Sequence, residues 1–312
     1  MAQNDLPLHG NRKPSGISAK PGCLGAVARF WYRSYAADYI SLAIITAGWF
    51  IIQIFVEPFH RMFSLENGSI QFPFAVVERV PVVWAVIYAG ILPLMIIGIW
   101  AAVTRSGSHF THVTILGFLA TLILTSFLTD VVKNAVGRPR PDLISRCKPE
   151  KGTPAHTLVS FNVCLETDHH ILHEGWRSFP SGHSSFAFGG LGYLSLFFAG
   201  QLHVFRPRSG LARFLFSAAP LLGALMIAMS RLADYRHDVY DVTVGSLLGL
   251  FTAYFTYRRY YPSLKSIDCD TPYSRPSGGY VAVSGVNRGL GDEEQPCNSP
   301  RPEYSGAEYQ MQ

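Results

Sequence analysis

Three short stretches crowd ionisable side chains against long apolar runs, and their residue types suit one kind of reaction. "KNAVGRPRP", residues 133–141, sets Lys133 and Arg140 seven positions apart. Seven residues are about two helical turns, so a continuing helix would put both cations on one face. Gly137, Pro139 and Pro141 instead predict a helix break before Arg140. "FPSGHSSFAFGG", residues 179–190, offers Ser181 or Ser184 as a helix cap. Gly182 beside it permits close backbone approach, and the free N–H groups of that helix start attract an anion next to His183. "SRLADYRHDVYD", residues 230–241, gathers Arg231, Asp234, Arg236, His237, Asp238 and Asp241. His237 and Asp241 are four apart and share a helix face. A carboxylate so placed accepts the imidazole Nδ1–H, selects the tautomer and leaves Nε2 to attack. Arg231 adds a fork of donors matched to phosphate. These are parts for binding a tetrahedral oxyanion and transferring it. No set of carboxylates marks a bound metal of the Mg²⁺ kind, and no cofactor is implied.

Each stretch alone has a plainer reading. The first could be a basic flank that stops translocation, and the second a Pro-Gly turn with an incidental histidine. In the third, Asp241 could simply open a helix while the arginines anchor at an interface.

The elements that must bring these stretches together are apolar. Six runs, at about 39–56, 82–104, 113–129, 184–202, 214–229 and 239–257, each approach the ~20 residues that cross hydrocarbon as a helix. Asp130 closes the third and Asp241 lies near the start of the sixth; the other four hold no Asp, Glu, Lys or Arg. A water-soluble helix would show a polar residue every three or four positions. With 48% hydrophobic and only 15% charged residues among 312, the chain is expected to be all-α. It should be a polytopic membrane protein whose six transmembrane helices form a bundle. Its domains are then a flexible cytosolic arm over 1–38, a transmembrane domain over 39–257 and a disordered cytosolic tail over 258–312, rich in Pro, Ser, Gly and acidic residues. The first run starts near residue 39, which reads as a retained anchor and not a cleaved leader.

Six spans put both termini on one side. Fifteen Lys and Arg fall on that side and eleven on the other, where Lys133, Arg140 and Arg231 are candidates for chemistry. The positive-inside rule therefore predicts cytosolic termini and an active site at the non-cytosolic face. Two features agree. "NGS" at Asn67–Ser69 is a glycosylation acceptor pattern in an outer loop. Cys147 and Cys164 share the long outer loop, where an oxidising compartment permits either a disulfide or two free thiols. The five cysteines lack metal-ligand spacing. The net charge of +5 is spread over loops and tails, so nucleic acid is not an expected partner.

All three clusters fall on the outer side, and ionisable groups at membrane depth mark functional sites. In order, they resemble the signature of the type 2 phosphatidic acid phosphatase superfamily: Lys133…Arg140-Pro141, then Pro180-Ser181-Gly182-His183, then Ser230-Arg231…His237…Asp241. The third string is most similar to integral lipid phosphate phosphatases, including fungal diacylglycerol pyrophosphate phosphatases. The resemblance covers about residues 80–260 and says nothing of the arm or tail.

The resemblance implies roles. His237 is the nucleophile that forms a phosphohistidine, and Asp241 orients it. His183 protonates the leaving lipid oxygen and later activates water. Lys133, Arg140, Arg231 and the backbone at Ser181 and Gly182 hold the phosphoryl oxygens. The expected activity is Mg²⁺-independent removal of phosphate from phosphatidate, lysophosphatidate or diacylglycerol pyrophosphate. The substrate's tails stay in the bilayer, and vacuole, Golgi, ER and plasma membrane all fit as location. A phosphotransferase that passes the group to an alcohol through the same intermediate is the alternative. A non-catalytic scaffold or transporter is disfavoured because every motif residue is present.

Overall fold

A computed structural model describes residues 34–207 and 209–274, together with Cys23, Val27 and Trp31. Most of the arm expected over 1–38 and the tail beyond 274 lie outside the described residues.

Long helices follow the apolar runs. Helix α1 spans Ala36–Phe55, α2 Val82–Val103 and α3 Ser108–Val136. Two short helices, α4 (Leu143–Cys147) and α5 (His169–Glu174), sit in the long loop. Then come α6 (Gly182–Gln201), α7 (Leu211–Ala233) and α8 (Val239–Tyr260). Helix α2 carries a widened π turn at Ile87–Ile91 just before Pro93, whose ring and missing N–H a regular α turn would not accommodate. Among the described residues strand-like pairing is limited to two isolated bridges, Phe63 with Val159 and Pro149 with Cys164.

Five of these helices are long and apolar enough to cross a membrane by length and composition. Helix α6 is not among the five, although it fills the fourth expected run. Its reason is composition: Ser184, Ser185, Gly189, Gly190, Gly192, Ser195 and Gly200 lower its hydropathy, and all seven are buried against neighbours. Small residues of this kind let membrane helices approach closely. Helix α1, by contrast, buries no residue and lies at the rim. Large apolar side chains such as Phe55, Leu222, Met226 and Phe251 cover the outside, as an integral membrane protein requires.

Helix α3 joins the core by one stripe. Thr121, Thr125 and Thr129 recur at four-residue steps, and each hydroxyl meets a partner across a helix boundary: Thr256, Thr252 and Ser185 respectively. The next position on that stripe is Lys133. One further turn past the expected end at 129 thus carries a buried lysine to that end of the bundle.

At that rim the two long loops make a cap. Phe63, Ile70, Leu143, Val159, Leu172 and Trp176 form a small core of their own, and Cys147 and Cys164 are joined there by a disulfide. The first part of the expected tail differs from expectation. Helix α8 continues three residues beyond 257, and Tyr261 and Cys269 are fully buried. The segment is held by backbone hydrogen bonds such as Tyr273 N–H to Tyr260 O at 2.9 Å. Its apolar and aromatic residues dock on the other end of α6, which the Pro, Ser and Gly content of the whole tail obscures.

Candidate active site

The second and third stretches meet through backbone. Ser181 N–H donates to Asp241 O at 2.9 Å, fastening the start of α6 to the first turn of α8. Two glycines on α8 permit the approach: a Cβ at Gly245 would stand 2.6 Å from Ser181 O, and one at Gly249 would overlap Ser185 O. Ser181 caps α6 as expected, its hydroxyl accepting from Ser184 N–H at 3.4 Å and from Ser184 Oγ at 3.0 Å.

The first stretch closes on the same place. Helix α3 ends at Val136 because Gly137 adopts φ 56°, a left-handed conformation, and a Cβ there would collide with Phe59 O. Arg140 therefore comes from the loop and not from a shared helix face with Lys133, in line with the predicted break. Lys133 reaches the site from α3 itself: a Cβ on Gly182 would lie 3.9 Å from its Nζ. Lys133 Nζ also donates to Arg177 O at 2.8 Å.

His237 precedes α8 and is buried, with its Nδ1 3.8 Å from Asp241 Oδ2. That separation is too long for the hydrogen bond the four-residue spacing suggests. The reason is competition for Oδ2, which accepts from Ser178 Oγ at 2.5 Å and Asp238 N–H at 3.0 Å. Arg138 holds the other oxygen at 2.7 Å and reaches Asp238 at 2.8 Å. Burial pushes the His237 imidazole down to about 3, with Asp241 opposing and with Arg140 and Lys133 adding to it. A neutral imidazole at neutral pH is a nucleophile.

The cations are not free-standing. Arg231 pairs with Glu78 at 2.6 Å and Asp234 at 2.9 Å, and Arg140 with Glu174 at 2.7 Å. Glu78 reaches on to Arg236 at 3.0 Å. For Glu174 burial works to raise the carboxyl, but Arg140, Lys133 and Arg177 outweigh it and hold it below its ordinary range. Each of these carboxylates is engaged by a guanidinium, so they orient cations instead of offering an open cradle for a metal. Some donor capacity is left over. Arg140 Nε, Arg177 Nε, His183 Nε2 and His237 Nδ1 are buried and have no hydrogen-bond partner among the described residues. Buried polar groups are normally paired; Arg140 Nε, Arg177 Nε and His183 Nε2 suit an incoming anion, whereas His237 Nδ1 is turned toward Asp241.

All eight residues singled out for chemistry thus lie at one end of the bundle. Sequence reasoning passed over Arg138, Glu78, Glu174, Arg177 and Ser178. Their signal was charge or polarity in loops next to a span, but nothing in the spacing names their partners. Asn67 is exposed on the cap, its side chain accepting from Ser69 N–H at 3.1 Å and Ser69 Oγ at 2.8 Å.

Comparison with known proteins gives a consistent result. Residues 114–265, which hold all three stretches, match the model of the PAP2 superfamily. The chain is 37% identical over 248 residues to the probable diacylglycerol pyrophosphate phosphatase 1 of Schizosaccharomyces pombe, covering 79% of this chain and 88% of that one. It is 41% identical over 212 residues to diacylglycerol pyrophosphate phosphatase 1 of Saccharomyces cerevisiae, covering 67% and 73%. Lipid phosphate phosphatase 2 of Arabidopsis thaliana is 35% identical over 237 residues, covering 76% and 79%.

Proposed function

The chain belongs to the PAP2 superfamily, and we propose that its rim pocket removes phosphate from membrane lipids through a phosphohistidine. It is a phosphatase and an integral membrane protein, with lipid phosphates as its substrate class. The observation that carries the mechanism is the Ser181–Asp241 backbone bond, which sets the helix start holding the half-buried His183 beside the segment holding the buried His237.

In the first step His237 Nε2 attacks phosphorus, an N–P bond forms and the bond from phosphorus to the lipid oxygen breaks. His183, protonated once the phosphate dianion is bound beside it, gives its proton to that oxygen. In the second step His183 takes a proton from water, the water oxygen attacks phosphorus, and the N–P bond breaks to release inorganic phosphate. Asp241 stabilises the charge that develops on His237. Lys133, Arg140, Arg231 and the N–H groups at the start of α6 neutralise the three phosphoryl oxygens, a task that cationic clamps and helix starts perform without a metal. A positioned acid and base contributes about 10²–10⁴-fold. Phosphatidate, lysophosphatidate and diacylglycerol pyrophosphate all present a terminal phosphoryl to such a pocket.

The test is phosphate release from phosphatidate vesicles in EDTA. Wild type should turn over without added Mg²⁺. His237→Ala should lose turnover together with any acid-labile phosphoenzyme. Strict dependence on Mg²⁺, or normal activity of that variant, would sink the mechanism.

The pocket faces the lumen or the cell exterior in this reading, with cytosolic termini. Support comes from the disulfide and the exposed Asn67 acceptor, both on the cap that adjoins the pocket.

A further inference from the structure

A second cluster of ligating side chains lies outside the pocket, where the chain leaves α1. Glu57, two residues past that helix, and His169 and His173, one turn apart on α5, each present a donor atom, and the three atoms lie within 4.8 Å of one another. His169 Nε2 is 3.3 Å from Glu57 Oε1. Zinc with bonds of roughly 2.0–2.1 Å keeps tetrahedral ligands about 3.3–3.4 Å apart, so this pair already has the separation of two ligands on one ion. The rings of His169 and His173 stand 3.8 Å apart between centroids.

A third histidine orients the cluster. His60 Nε2 lies 2.6 Å from His173 Nδ1. That contact engages one nitrogen of His173 and turns the other, Nε2, into the ligand, as the outer partner of a metal-bound histidine does. His60 is itself fixed against Trp176, a fully buried residue of the cap, at 5.0 Å between ring centroids. The side chains of Glu57 and His169 are 63% and 70% exposed, so an ion reaches the site from solvent.

We propose that Glu57, His169 and His173 bind a divalent transition-metal ion of the zinc class, which ties the end of α1 to the cap. Two imidazoles and one carboxylate suit zinc and its neighbours, whereas magnesium and calcium favour all-oxygen sets. Three protein ligands leave a fourth position for water. The site is independent of the phosphatase reading. It does adjoin the pocket through the chain, since His173 precedes Glu174, the partner of Arg140.

The experiment uses the full chain in detergent, without a polyhistidine tag and stripped with EDTA. Zn²⁺ is titrated by calorimetry, and Co²⁺ by visible absorption. Wild type should bind one zinc more tightly than any background from its other histidines, and its Tm should rise with zinc. Co²⁺ should give the intense bands of a four-coordinate site. His169→Ala, at an exposed position that leaves the fold intact, should lose the tight site, the bands and the Tm rise. Glu57→Gln should weaken binding, and His60→Ala should weaken it by about 10–100-fold. Mg²⁺ should produce none of these signals. A wild type that takes up no zinc, or a tight site that survives in His169→Ala, overturns the proposal.

Discussion

At the scale of the residue, the nucleophile depends on a neighbour that does not touch it in hydrogen-bond geometry. Asp241 stands 3.8 Å from His237, held by Ser178, Arg138 and the Asp238 backbone. Removing one of these holds should cost rate more than substrate affinity. A hydrogen bond to a charged group contributes about 1.5–3 kcal/mol, so Ser178→Ala is expected to lower kcat about ten- to a hundredfold with KM little changed, in steady-state assays on phosphatidate vesicles. The same histidine sets a pH dependence of stability. Unfolded it takes a proton near 6.5, but buried it does so only near 3. The unfolded chain therefore binds more protons in that window, and stability falls as pH drops from 6.5 toward 3. At pH 5.5 the loss is on the order of 1 kcal/mol. His237→Ala should flatten the acid side of a Tm-against-pH curve by that amount.

At the scale of the element, α6 and α8 hold the pocket because two glycines let their backbones touch. Gly249→Ala would force a Cβ into Ser185 O and the neighbouring Gly189 N–H, and such overpacking costs about 1–3 kcal/mol. The variant should melt earlier and lose turnover, because α8 carries Asp241 and adjoins His237 while α6 carries His183. The threonine stripe on α3 acts differently. Its hydroxyl pairs with α8 and α6 steady the helix that brings Lys133 to the rim, yet an interhelical hydrogen bond in a membrane averages only about 0.6 kcal/mol. Thr125→Val, which keeps shape and drops the hydroxyl, is thus expected to shift Tm slightly and leave kcat near wild type.

At the scale of the whole molecule, the cap locks the two long loops together over the rim. Cys147 and Cys164 are separated by 17 residues, and closing a loop of that size stabilises by about 3 kcal/mol in the chain-entropy account. Reduction, or Cys147→Ala with Cys164→Ala, should lower Tm accordingly. Sidedness is testable on the same cap. Expressed in a eukaryotic secretory membrane, wild type should lose apparent mass on endoglycosidase treatment and Asn67→Gln should not. A wild type without that shift would remove Asn67 as support for a lumenal pocket.

Much of this was legible in the chain because lipid and phosphate impose strong local rules. Apolar length announces helices where hydrocarbon excludes unpaired backbone. Gly137 and the two prolines that follow it marked the end of α3, whereas His237 lies just before α8 and not on a helix face with Asp241. The tertiary structure alone decided the counterions. Glu78 lies 153 positions before Arg231, and Arg138 about a hundred before Asp238. An ion pair in a folded protein depends on distance in space, and spacing along the chain carries no information about which distant loop folds over which helix end. Helix α6 is expected as the fourth span, and only the packing shows what its glycines and serines do: they lie against α2, α3, α7 and α8.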